Sequence, residues 1–224
     1  MKSQFTPSLH KAVPEQPPKK PIVINIFGGP GVGKSTTAWK VSSALSELGY
    51  IVEYLPEFAK GLTWSNSHHV LRDQLYVFAN QVHPLEMTRD KALDFVVVDS
   101  PLPTSLVYMP PDFYKSFEPL VIEVFKSFTN MTYLLRRETQ YVDVGRSQSP
   151  EEATLIDKRI AEILKKHDIE HQSIGLSDRD RIILDAIQAC RPSVAVPELP
   201  TDVSARIRDM VRQHHPESLK SRKP

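Results

Sequence analysis

Two rhythms of apolar residues run through the chain. The first is continuous: Ile22, Val23, Ile24, Ile26 and Phe27 surround a single asparagine, as a parallel strand buried on both faces requires. The second has helical spacing: Ala38, Val41, Ala44, Leu45 and Leu48 recur up to Gly49, which caps the helix end. The strand rhythm returns at 51–55, where Pro56 stops it. A helix is expected over 69–82, with Leu71, Leu75, Phe78 and Val82 as its core stripe and Pro84 interrupting or kinking it. Phe95, Val96, Val97 and Val98 form a third strand that runs straight into Asp99. Helical spacing covers 112–128, and a fourth strand 131–135. Ser149, Pro150, Glu151 and Glu152 make a capping box with proline at the first helical position. They open a helix whose buried stripe is Leu155, Ile156, Ile160, Ile163 and Leu164. A fifth strand is expected at 169–174, then a helix capped at Ser177. This alternation implies an α/β fold: a five-stranded parallel sheet with helices on both faces, whose ligands sit at the carboxyl ends of the strands.

Between the first strand and the first helix the chain concentrates half of its eight glycines. The run Gly28, Gly29, Pro30, Gly31, Val32, Gly33, Lys34, Ser35, Thr36 fits G-x-x-x-x-G-K-[ST], the phosphate-binding P-loop. Its backbone amides form an anion cradle, and the helix behind it adds a dipole. Lys34 is expected on the β- and γ-phosphates of ATP, and the Ser35 hydroxyl on Mg²⁺.

The strand ends supply the remaining candidates. Asp99 follows four apolar residues in a Walker B pattern and is expected to orient Mg²⁺ directly or through water. Glu57, just past the second strand, is a candidate base for an acceptor hydroxyl. Arg136 and Arg137 follow the fourth strand, and Arg146 lies in the segment 138–149 with Tyr141 and Gly145. That segment reads as a lid whose arginines neutralise the transferring phosphoryl group, with Arg136 and Arg146 as the candidates. Gln74 and Gln81 flank the stripe of the 69–82 helix, either as a solvated shoulder or as readers of a base edge. Trp64 and Tyr76 are expected to pack rather than stack on a ligand. His167 and His171 lack the spacing and glutamate of a helical zinc motif.

Composition narrows the class. With 224 residues, 40% hydrophobic and 25% charged, the chain reads as one globular domain with tails. A net charge of +1 means that any polyanion must be held by local patches. Cys190 is the single cysteine, so no internal disulfide forms, and a reducing cytoplasmic setting is expected. No stretch approaches the ~20 apolar residues of a membrane span, and no signal peptide is evident, so no membrane partner is expected. Of the 19 prolines, Pro14, Pro17, Pro18 and Pro21 lie before the first strand and Pro192, Pro197 and Pro200 follow Cys190. Residues 1–20 read as a disordered basic arm, 21–190 as the P-loop domain, and 191–224 as a proline-rich linker, a short helix and a basic tail. The helix would start at Thr201, with Val203, Ile207 and Val211 on the face expected to pack and Arg206, Arg208 and Arg212 among its polar positions.

Among P-loop proteins, a GTPase would show N-K-x-D, which is absent, and a hydrolytic motor would place glutamate after the Walker B aspartate, where Ser100 stands. Transfer to an alcohol is therefore favoured over hydrolysis, in a nucleoside- or nucleotide-kinase-like P-loop NTPase. Over residues 20–175 the chain resembles the compact P-loop kinases of tailed bacteriophages, often labelled AAA-like ATPases. The resemblance is carried by the glycine run, by Glu57 through Trp64, by Asp73 through Phe78, by Asp99-Ser100-Pro101-Leu102, and by Gly145-Arg146 leading into Pro150-Glu151-Glu152. It is nearest to enzymes that phosphorylate 5-hydroxymethyluracil in phage DNA, a step towards hypermodified thymidine. The resemblance thus implies ATP and Mg²⁺ as cofactors and DNA bearing a hydroxymethylated base as substrate. A free nucleoside or nucleotide kinase, and a regulatory ATPase acting on a partner through the C-terminal helix, remain alternatives.

Overall fold

A computed structural model describes residues 20–67, 69–138, 149–190 and Asp209. The elements are β1 (Ile22–Phe27), α1 (Lys34–Glu47), β2 (Val52–Leu55), α2 (Phe58–Trp64), α3 (Gln74–Glu86), β3 (Phe95–Asp99), α4 (Phe117–Lys126), β4 (Thr129–Leu135), α5 (Pro150–Lys166), β5 (Gln172–Ile174) and α6 (Asp180–Ala189). The five strands form one sheet in the order β2-β3-β1-β4-β5, and every pairing is parallel. The chain therefore has the expected doubly covered P-loop NTPase fold.

Alternation along β1 assigns the two faces. Ile24 and Ile26 pack with Ala38, Val41 and Leu45 of α1 and with Ile182, Ile183 and Ala186 of α6. Val23 points the other way, into a cluster with Phe78 and Leu85 of α3 and Phe117 and Val121 of α4. Phe27, on that same face, meets Phe125 of α4 and Ile156, Ile160 and Leu164 of α5. A period of two on a central strand thus distributes three apolar clusters over two layers of helix. The buried polar residue in β1, Asn25, is satisfied: its amide donates to Val23 O at 3.0 Å and to Asn130 Oδ1 at 2.8 Å.

Several sequence expectations shift. The helix expected over 69–82 is a 3-10 turn at Val70–Arg72 followed by α3, because the Asp73 carboxylate accepts the Tyr76 N–H at 3.1 Å and starts a new helix. The new start turns a different face inward, so Gln74, Val77, Phe78 and Leu85 are buried and Leu75 is 43% exposed. Pro84 does not interrupt α3, which continues to Glu86. In α5 the buried stripe is Ala153, Ile156, Ile160 and Leu164, and Leu155, about 100° round the helix from Ile156, is exposed. Ser177 does not cap the last helix: it lies in a 3-10 turn, Leu176–Asp178, and α6 starts at Asp180 without a side-chain cap. The Ser149 capping box is formed as read, with Ser149 N–H donating to Glu152 Oε2 at 2.7 Å. The expected arm, the C-terminal linker and helix, and the lid residues Tyr141, Gly145 and Arg146 lie outside the described residues.

Candidate functional site

The strand order reverses at β1, with β3 on one side and β4 on the other, and the glycine run leaves the carboxyl end of β1 at that point. Gly33 occupies the N-cap of α1 at φ 96°, in the left-handed region, where it offers no side-chain cap to the first-turn amides. Those amides remain available to an anion. Lys34 Nζ donates to Gly29 O at 3.2 Å, folded along the loop.

Gly29 is held from behind. Its N–H donates to Asp157 Oδ1 of α5 at 2.7 Å. Asp157 Oδ2 accepts from Arg137 Nε at 2.7 Å, and Arg137 Nη2 donates to Pro30 O at 2.9 Å. One carboxylate–guanidinium pair therefore ties the end of β4, the glycine loop and α5 together. Arg136 does not join them: its Nη1 donates to Ser173 O at 2.9 Å, beside Glu138 and Asp178 on the β5 side. The structure thus places Arg137, rather than the expected Arg136, against the phosphate loop. Nothing in the local sequence separates two adjacent arginines, and Asp157 carries no motif.

The brace predicts the effect of a methyl group. A Cβ at position 29 would sit 2.4 Å from Asp157 Oδ1 and 2.9 Å from the backbone oxygen of Ala153, which is fixed in α5. Gly29→Ala is expected to cost about 1–3 kcal/mol of overpacking and to weaken nucleotide binding about tenfold, read by melting temperature and by titration with a fluorescent ATP analogue. Gly61→Ala is the control, because a Cβ there meets nothing within 4 Å.

Asp99 ends β3, which is hydrogen-bonded directly to β1 with Asp99 opposite Ile26. It is 2% exposed. The Tyr54 hydroxyl reaches Asp99 Oδ2 at 3.5 Å, while Oδ1 has no hydrogen-bond partner among the described residues. Burial, reinforced by the Asp99 charge, pushes the Tyr54 hydroxyl up to about 12, so it stays a donor to that carboxylate. Glu57 is the N-cap residue of α2 and is half-buried. Desolvation raises its pKa above the ordinary glutamate value, Asp99 adds to the rise, and the Lys34 and Lys60 ammonium groups oppose it. Asp99 and Lys34 thus both act electrostatically on Glu57.

Glu57 and Lys34, with Ser100 next to Asp99, border a cavity of about 310 Å³, within the range of small-molecule sites. Its wall includes Gly31, Gly33, Lys34 and Ser35 at one side and Gln74, Gln81, Ser100 and Ser105 at another. Gln74 is 2% exposed, which excludes the solvated-shoulder reading for that residue. Gln81 Nε2 lies 3.5 Å from Ser100 O, and its Oε1 lies 3.4 Å from the Ser105 hydroxyl. Ser100 itself is held at φ 80°, a left-handed conformation that a non-glycine residue adopts at a cost of about 1–3 kcal/mol. Trp64 and Tyr76, expected to be buried, are 63% and 46% exposed, and Trp64 lines the cavity. Sequence reading missed α2 because it buries no residue and so leaves no apolar stripe, and it missed Ser105 because the Leu102–Val107 3-10 turn has no helical period. His167 pairs with Glu118 at 2.7 Å, and His171 bonds to Ile169 O at 2.9 Å. Among the described residues no group of three histidine, cysteine or acidic side chains is placed to hold a metal ion, and no helix is long and apolar enough to cross a membrane.

A family model described as an AAA domain matches residues 23–179. No curated protein matches the chain by sequence. Among solved structures, NadR in complex with NAD and AMP-PNP superposes at a TM-score of 0.57 with 13% identity, covering 80% of this chain and 52% of that one. NadR in complex with NR gives 0.57 and 15%, covering 81% and 54%. The chain thus spans about half the length of the NadR chains it matches. Deoxyadenosine kinase from M. mycoides, with products dCMP and dCDP bound, is similar at 0.48 and 16%, covering 75% of this chain and 100% of that one.

Proposed function

Since the chain belongs to the AAA domain family, we propose that its P-loop serves phosphoryl transfer: an ATP-dependent kinase acting on a primary hydroxyl of a nucleoside-like acceptor. The observation that carries this reading is one cavity lined both by Lys34 and Ser35 and by the polar side chains Gln74, which is buried, and Gln81, which is half-buried, with Glu57 on its border. A site built for hydrolysis alone has no use for a second, shaped compartment beside the phosphates.

In this reading the amides at the start of α1 hold the phosphate oxygens, and Lys34 leaves Gly29 O to neutralise the charge on the β- and γ-phosphates. The Ser35 hydroxyl and the unpartnered Asp99 Oδ1 fit Mg²⁺, since a buried carboxylate oxygen with no donor is what a hard cation or its water satisfies. Held by Ser35 and Asp99, the ion would contribute charge neutralisation to the phosphates. Tyr54 orients Asp99 through its other oxygen. Glu57 accepts the acceptor hydroxyl's proton late, because phosphoryl transfer has a loose transition state. As the new P–O bond forms on the acceptor oxygen, the bond to the ADP leaving oxygen breaks. Arg137 and Asp157 keep the loop in register without contacting the phosphates, and Arg146 remains the lid candidate.

The finer form of the proposal is transfer to the hydroxymethyl group of 5-hydroxymethyluracil in DNA. Its support is the sequence resemblance, together with an acceptor compartment whose exposed Trp64 offers a stacking surface. A duplex base would have to be flipped outward to enter. The test offers γ-labelled ATP and Mg²⁺ with hydroxymethyluracil DNA, ordinary DNA and a panel of nucleosides and nucleotides. Label on the modified DNA alone is expected. Label on a free nucleoside or nucleotide would replace the acceptor but keep the kinase, and ATP consumption without any labelled acceptor would overturn both.

A further inference from the structure

We propose that Gln74 selects the acceptor, and that the compartment it closes takes a planar base carrying a ring or exocyclic N–H donor. The inference deepens the phosphotransferase reading and rests on it for the purpose of the site, though not for what the site binds. Gln74 is one of the few buried polar side chains in α3, and its amide is fixed by one strong bond, Nε2 to Leu71 O at 2.7 Å. A backbone carbonyl only accepts, so the NH₂ end must face Leu71 and the amide cannot flip. That leaves Oε1 buried with no hydrogen-bond partner among the described residues. An acceptor stranded in this way is destabilising until a donor reaches it.

The surroundings limit what that donor belongs to. Gln74 lines the same cavity as Leu71, Val77, Trp64 and Tyr108, a set of apolar and aromatic walls suited to a flat ring. Trp64 keeps 63% of its surface exposed, so its face offers a ligand area to cover. Gln81, two turns along α3, is already engaged with Ser100 and Ser105 beside the Walker B strand end. The helix therefore carries an occupied glutamine beside Ser100, the residue after Asp99, and an unsatisfied one two turns away. A base N–H at the second position satisfies Gln74, while Gln81 keeps its serine partners. A sugar or polyol lacks the flat ring for these walls, and a base edge of acceptors alone would place acceptor against acceptor at Oε1.

The experiment reads binding separately from chemistry. Both tryptophans of the chain, Trp39 and Trp64, line this cavity, so intrinsic fluorescence reports occupancy. The full chain is titrated with 5-hydroxymethyl-2′-deoxyuridine and its N3-methyl derivative, each as free nucleoside and within a short single strand. A second pair, 5-hydroxymethyl-2′-deoxycytidine and its N4,N4-dimethyl derivative, separates a ring imide from an exocyclic amine. In at least one pair the methylated member is expected to bind about tenfold or more weakly, and Gln74→Met, of similar volume, is expected to erase that difference. Equal affinity within both pairs, no binding of any member, or discrimination that survives in Gln74→Met and in Gln74→Leu would each overturn the assignment. The wild-type comparison decides even where a variant does not fold. Discrimination without phosphoryl transfer would remove the kinase reading and keep this site, whereas transfer without discrimination would do the reverse.

Discussion

Lys34→Ala is expected to lower phosphoryl transfer from ATP by about 10²-fold or more, equivalent to roughly 3 kcal/mol of transition-state stabilisation. The side chain is half-buried at the first position of α1, and among the described residues its hydrogen bond is to Gly29 O of its own loop at 3.2 Å. Its loss therefore removes charge from the phosphates while leaving the three apolar clusters intact. Initial rates with labelled ATP should fall while the melting temperature moves by no more than a surface substitution moves it, about 0.5 kcal/mol in stability. The ammonium also opposes the rise in the Glu57 pKa, so its removal should push the acidic limb of any residual activity to higher pH. Near-normal transfer by this variant would sink the assignment of the loop.

Glu57→Gln should move activity and stability in opposite directions. Desolvation raises the folded pKa of Glu57, and Asp99 raises it further. The folded chain thus holds that proton more tightly than the unfolded chain, and the ionised carboxylate opposes folding at any pH above the raised value. The opposition fades as pH falls through that value and is gone below the ordinary glutamate range. Glutamine carries no such penalty, so the variant should melt higher than wild type at neutral pH, with the gap closing in acid. Phosphoryl transfer should drop by about 10²-fold, the scale of a lost general base. The wild-type rate should also fall in acid, at a pH above that of an exposed glutamate, and the variant should lose that limb. A variant as active as wild type, or a wild-type profile flat through this range, would exclude Glu57 as the base.

Much of this site was legible before any coordinates. The P-loop announces itself because its chemistry needs bare backbone at fixed spacing, and only glycine supplies it. Asp99 is visible because a buried parallel strand is an unbroken apolar run, so the first carboxylate after it marks the strand end. The Ser149 capping box is equally local, and it formed as read. Gln74 shows where this stops. Its spacing on an expected 69–82 helix put it on a shoulder, but the Asp73 cap restarts the helix and turns Gln74 inward. A cap four residues into a periodic stretch is a weak signal against the stripe around it. Leu75 moved outward with that restart, whereas Leu155 is exposed on a helix that starts as expected, since a helix shows its apolar pattern before it shows which part of it is covered.

The sequence by itself determined the strand–loop–helix order, the phosphate loop and the carboxylates beside it, because each depends on residues within a few positions of one another. Tertiary structure alone decided which groups converge on that loop. Arg137 rather than Arg136 reaches Pro30, and Asp157 of α5 takes the Gly29 N–H across 128 positions of chain. The cavity likewise exists only because the phosphate loop, α2, α3 and the turn after β3 meet at one end of the sheet. Such contacts are set by the packing of whole elements and by strand order, and neighbouring side chains along the chain carry no record of them.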